Sequence, residues 1–259
     1  MAETSVRIEG LTKCFGEIAA VDGLSLEVER AEIFGLIGSD GAGKTTTMRL
    51  ICGLLEPDAG EIEVAGVDVR AQPEEARGRL GYLPQAFGLH DDLSIAENIR
   101  YFADLFCQDM SEMADELDEL LAATGLAEFT DRMAGDLSGG MKQKAALICA
   151  LIHRPKVLLL DEPTRGVDPV SRRDLWRIVY GLPGDGVTVI VATPDADEAE
   201  RCGRLGVIAD GAIVETGTPQ ELIERHTSRI VEVAVADQQG ARDLLRDSGG
   251  VVAVSGIGG

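Results

Sequence analysis

Apolar and polar residues alternate through residues 5–10 (SVRIEG) and again through 24–30 (LSLEVER), punctuated by Gly10, Gly16 and Gly23. A period of two with glycine breaks predicts short strands joined by turns. Residues 31–38 (AEIFGLIG) form a nearly continuous apolar run, as expected of a strand buried on both faces. A glycine-rich stretch follows, after which Met48, Ile51, Leu54 and Leu55 fall at helical spacing. Residues 57–70 read as a hairpin with turns at 57–60 and at Gly66.

The texture changes between about Leu93 and Asp136, where the sequence favours helix and carries no strand signal. Residues 109–136 hold nine acids against one base, Arg132, while Leu117, Leu120 and Leu121 supply a narrow apolar stripe. Such a run reads as a solvated helical face. It predicts a helical insertion, at about 86–140, into an α/β domain. Helix pattern then returns at 141–152, a buried strand at 156–163, a helix at 169–182 with Pro169 near its start, and a buried strand at 187–193. Residues 195–202 begin a helix, and 206–217 read as a hairpin closed by Asp210-Gly211. Strands alternating with helices predict a mainly parallel sheet covered on both faces. Residues 1–227 are thus expected to form one domain. Residues 228–259 read as an incomplete βαβ segment that either packs on it or marks a truncation, the latter being favoured.

Composition narrows the functional classes. The 259 residues are 45% hydrophobic, ample for a large core, yet only 4% aromatic, so aliphatic side chains must fill it. A net charge of -21 repels phosphate backbones and anionic lipid surfaces, which argues against nucleic acid as a partner. Only five of the 24 basic residues are lysine, a bias compatible with a salt-tolerant host. The five cysteines are widely spaced without a C-x-x-C pair, which fits a reducing compartment. No apolar stretch approaches the length of a membrane span, and the first residues lack a secretory pattern. The expectation is a soluble intracellular chain; if it serves a membrane, another chain crosses it.

Residues 38–47 (GSDGAGKTTT) match G-x-x-x-x-G-K-S/T between a buried strand and a helix. Glycines let successive backbone N–H groups curl around a polyphosphate, and the helix adds its positive end. Gly38, Ser39, Asp40, Gly41, Ala42, Gly43, Lys44, Thr45 and Thr46 are therefore the candidate nucleotide-binding residues. Lys44 is placed on the β- and γ-phosphates, and the Thr45 hydroxyl on Mg²⁺. At the end of the apolar run 157–160 stand Asp161, expected to support Mg²⁺, and Glu162, expected to orient or deprotonate an attacking water.

Residues 137–144 (LSGGMKQK), about 20 residues before these acids, resemble the signature of ATP-binding cassette ATPases, and other motifs of that family occur in order. YLPQ resembles the glutamine loop, GVDP the dimer-contact loop, and LTKCFG carries an aromatic upstream of the phosphate loop. The likeness covers roughly residues 5–225, and the helical insertion and tail look like those of ABC-2-type, daunorubicin-resistance-like multidrug exporters. It implies a P-loop NTPase fold with a mainly parallel central sheet, an antiparallel β subdomain and an inserted α-helical subdomain. By resemblance Gln85 reaches Mg²⁺ and the attacking water, and Phe15 stacks on adenine. Ser138, Gly139 and Gly140 face a nucleotide held by a second cassette, and Asp168 lies at the dimer contact. On residue type alone, Gln85 is more often a surface residue, and Phe15 reads equally as core. The family further implies ATP and Mg²⁺, a membrane permease partner, and a position on the cytoplasmic face of the membrane.

Two departures and one retained residue matter. Where the family carries a histidine after residues 187–193, this chain has Pro194, with neither a side-chain donor nor a backbone N–H. Ser39-Asp40 replaces the commoner Pro-Asn, adding a negative charge near the phosphates unless Asp40 points away. Glu162 is retained. The expectation is a chain that binds Mg-ATP, hydrolyses it slowly at its own site, and pairs with a different cassette or is half of a fused pair, a homodimer remaining open. The alternatives are a non-hydrolysing regulatory cassette and a soluble cassette acting on ribosomes or nucleic acid.

Overall fold

A computed structural model of the chain describes residues 3–86, 88–106 and 108–227, with positions 241 and 244. It divides into two compact units, residues 1–221 and 222–259. The expected βαβ segment at 228–259 lies outside the described residues apart from those two positions.

The amino-terminal strands are longer than the alternation suggested. β1 (Thr4–Phe15) and β2 (Ile18–Glu29) run antiparallel through the glycines that were expected to end them. Gly10 and Gly23 sit at φ +58° and +60°, and the register shifts between Ile8 and Leu11. Glycine here makes bulges, which bend a strand without ending it. β4 (Ala59–Val64) and β5 (Val67–Asp68) complete a four-stranded antiparallel sheet in the order β2-β1-β4-β5.

The second sheet contains β3 (Ile33–Ile37), β6 (Leu80–Leu83), β7 (Val157–Asp161), β8 (Thr188–Thr193), β9 (Arg204–Ala209) and β10 (Ala212–Gly217). Its order is β10-β9-β3-β8-β7-β6, and only the β9–β10 hairpin is antiparallel. Every residue of β7 and β8 is buried, which is why both read as unbroken apolar runs. Helices α1 (Lys44–Ile51), α2 (Pro73–Gly78), α5 (Gly139–Leu151), α6 (Pro169–Gly181) and α7 (Ala196–Ala199) connect these strands. A further helix, α8 (Pro219–Thr227), follows β10.

Between β6 and α5 lie α3 (Ile95–Leu105) and α4 (Ala114–Thr124). Ser94 and Glu97 close a reciprocal capping box on α3, fixing where it starts. Ile95, Ile99, Leu121 and Leu126 bury against Ile148 and Cys149 of α5, a cluster separate from the one between the two sheets. Among the described residues no helix is long and apolar enough to cross a membrane.

Candidate functional site

The loop 38–43 leaves β3 and enters α1 through Gly43 at φ +109°, a backbone that only glycine adopts readily. A Cβ there would also strike the carbonyl oxygen of Ala20. No side chain caps α1, which leaves its first N–H groups without a side-chain acceptor, the arrangement suited to an anion. Lys44 is buried, and its Nζ donates to the carbonyl oxygens of Gly38 at 2.7 Å and Ser39 at 2.8 Å, arching back over the loop. Ser39, Asp40 and Gly41 are exposed at its rim, Ala42 is buried, and Thr45 and Thr46 are partly buried.

The loop and the strand-end acids come together. Thr45 Oγ1 donates to Asp161 Oδ1 at 3.1 Å, and Tyr82 at the end of β6 donates its hydroxyl to Oδ2 at 3.3 Å. Asp161 is fully buried, and burial holds its carboxyl above the ordinary range against these two hydrogen bonds. The same burial, with the Asp161 charge, pushes the Tyr82 phenol up. A buried carboxylate beside a hydroxyl and an anion cradle is a donor set that suits a hard divalent cation.

Glu162 takes a left-handed backbone, φ +50°, while its N–H still bonds Ala192 O at 2.8 Å. That turn sends two successive carboxylates in different directions. Gln85 Nε2 reaches Glu162 Oε2 at 3.1 Å, and Arg165 Nη1 reaches the same oxygen at 2.8 Å. Gln85 itself is exposed, so it meets the acid while remaining at the surface.

Phe15 is half exposed at the tip of the β1–β2 hairpin, which excludes a core role. The hairpin's Ala20 abuts Gly43, which sets its tip near the phosphate loop. Ser138 caps α5, its Oγ accepting from Met141 N at 3.3 Å. Behind it Gly140 has no room for a side chain: a Cβ would overlap the Ser171 hydroxyl and lie 2.8 Å from Asp168 Oδ2. Asp168 caps α6 by accepting from the N–H groups of Val170 and Ser171, and these bonds hold its carboxyl below the usual range.

Pro194 follows β8 and is exposed, lining a cleft of about 330 Å³ with Asp40, Glu162 and Arg165. Behind it lies a polar lock. Buried Glu198 accepts the hydroxyls of Thr164 and Thr193, each at 2.5 Å, and Asp195 N donates to Thr193 Oγ1 at 3.0 Å. Sequence reasoning missed this lock, and it missed Tyr82 and Arg165. Arg165 left one signal, a cation three residues after Glu162. The lock left none, because Thr164 and Glu198 are distant in sequence.

Lys44, Thr45 and the strand-end acids, set at the carboxyl ends of parallel strands, define the chain as a P-loop nucleotide hydrolase fold. Residues 21–165 match the family model described as ABC transporter, and the chain belongs to that family. It is 40% identical to the probable multidrug ABC transporter ATP-binding protein YbhF of Escherichia coli (strain K12) over 220 residues, 85% of this chain but 38% of that relative. The chain therefore spans well under half the length of that relative. It is 37% identical to the Nod factor export ATP-binding protein I of Rhizobium sp. (strain N33) over 258 residues, covering 99% of this chain and 85% of that one. Among solved structures it is similar to the dimeric structure of MJ0796, a bacterial ABC transporter cassette, with a TM-score of 0.76, 25% identity, and 83% and 98% of the two chains covered.

Proposed function

We propose that this chain is the ATP-binding and ATP-hydrolysing subunit of a membrane exporter, working on the cytoplasmic face through a permease and pairing with a second cassette. The observation that carries this reading is the Thr45–Asp161 hydrogen bond, which joins the phosphate loop to the buried acid. The relatives named for multidrug and Nod factor export support the direction of transport.

The loop amides and Lys44 grip the polyphosphate, Lys44 exchanging its two carbonyl partners for phosphate oxygens. Thr45 and Asp161, with Gln85 at the rim, would hold Mg²⁺, which when bound neutralises charge building on the β- and γ-phosphates. Glu162 orients water in line with the γ-phosphorus and takes its proton as the new P–O bond forms and the bond to ADP breaks. Phe15 lies against the adenine. The helix end at Ser138, Gly139 and Gly140, with Asp168 beside it, closes the nucleotide of the facing cassette, as the dimeric neighbour supports.

Pro194 offers the γ-phosphate no donor, so this site turns over more slowly than one with a histidine there. That favours a heterodimer or a fused pair over a homodimer. Equilibrium dialysis tests the reading: the chain retains ATP in a magnesium-dependent way, and Lys44→Ala abolishes retention. Retention untouched by that substitution rejects the phosphate-loop assignment. The bare proline also favours a second reading, a regulatory cassette that binds without hydrolysing. Single-turnover hydrolysis separates the two, since any ADP formed excludes the second.

A further inference from the structure

Glu162, the group expected to activate water, is held by Arg165 Nη1 at 2.8 Å, in an ion pair whose acid is buried and whose arginine is 59% exposed. Both line the cleft that also takes in Asp40 of the phosphate loop and Pro194. The cleft wall carries Asp40, Glu162, Asp195 and Glu198 against two cations, Arg165 and Arg172. Arg172 is drawn toward Asp195, its Nη1 lying 3.4 Å from Oδ2, and Glu198 is occupied by two threonine hydroxyls. A γ-phosphate entering this space meets an excess of negative charge, a proline with nothing to donate, and one exposed guanidinium on the same loop as Glu162.

We propose that Arg165 supplies the γ-phosphate contact that Pro194 lacks, and that by moving to the phosphate it frees Glu162 to engage water. The inference rests on the nucleotide site described above. An arginine fork suits this task because it meets phosphate oxygens with two parallel N–H groups, and because phosphate, carrying more charge than one carboxylate, competes well for it. Arg165 lies three positions after Glu162, and its exposed guanidinium is free on its solvent side to turn from the carboxylate toward the cleft. The same contact gives the site a sense of occupancy. ADP has no γ-phosphate to draw Arg165 away, so Glu162 stays paired and idle.

Binding of Mg-ATPγS and Mg-ADP to the full chain, with turnover measured in parallel, tests this. Arg165→Ala, at an exposed position, weakens ATPγS binding about tenfold, the worth of one charge-assisted contact, while leaving ADP within about twofold. Turnover falls with it, and Pro194→His in the Arg165→Ala background restores the preference for ATPγS. An unchanged ATPγS-to-ADP ratio in Arg165→Ala overturns the proposal. So does a rise in turnover, which would make Arg165 only a brake on Glu162. If the parent chain retains neither nucleotide, the site assignment itself fails, an outcome distinct from both.

Discussion

β7 and β8 are neighbours, parallel, fully buried, and aligned so that Asp161 pairs with Ala192. Their carboxyl ends nonetheless differ. β7 ends in two successive carboxylates, Asp161 buried against Thr45 and Tyr82 and Glu162 lining the cleft, sent in diverging directions by the left-handed turn at Glu162. β8 delivers Thr193 and Pro194, one turned inward to Glu198 and the other bare. The same scaffold thus ends one strand in two carboxylates and the other in a structural lock. Identical burial says nothing about function; what differs is where each exit loop sends its polar atoms.

Cutting the lock behind β8 has the largest expected effect. Glu198→Ala leaves the Thr164 and Thr193 hydroxyls buried without an acceptor and opens a void. Urea unfolding should show a loss of about 3 kcal/mol. A loss under about 1 kcal/mol would mean that the two exit loops are not tied through this carboxylate. Next in size, adding Pro194→His to the Arg165→Ala background should raise steady-state turnover about tenfold by giving β8 a donor of its own, a part of the roughly hundredfold loss seen when one transition-state donor is removed. Unchanged turnover would place the slow step elsewhere.

The smallest effect sharpens the β7 side. Burial raises the Asp161 carboxyl, so between its ordinary and raised titrations the folded chain binds more protons than the unfolded one, and stability falls as pH rises through that window. Asp161→Asn removes this penalty while keeping one oxygen acceptor, its amide N–H donating to the other of the two hydroxyls. The nucleotide-free variant should melt about 2 °C higher than the parent at neutral pH, and the gap should close below the ordinary carboxylate range, as calorimetry can read. The same variant should lose magnesium-dependent nucleotide retention.

Much of this was legible because local chemistry and burial agree. The apolar runs that became β3, β7 and β8 are short and nearly free of polar positions, as buried strands are, and the phosphate loop needs its glycines wherever it occurs. β6 escaped notice because four residues ending in Leu83 are too few for periodicity to register. The helix α2 was hidden by its shortness and by Arg77 and Gly78 near its end. The amino-terminal strands were cut short on paper because glycine signals both a turn and a bulge, and only the paired strand distinguishes them. The contacts of Tyr82 and Glu198 belong to tertiary structure alone. Tyr82 with Asp161 and Glu198 with Thr164 join residues far apart in the chain, and no spacing rule reaches across that distance.

The seat of Gly140 has one more consequence. Two helices, α5 and α6, bring their positive amino ends to the same place, a meeting of like poles that would push them apart. Asp168 stands between them, capping α6 while its oxygen rests against the spot where Gly140 has no side chain. One negative charge serves both poles, and no slack separates it from either helix. Replacing that acid would therefore strip α6 of its cap and take the neighbouring charge from the start of α5 in a single step.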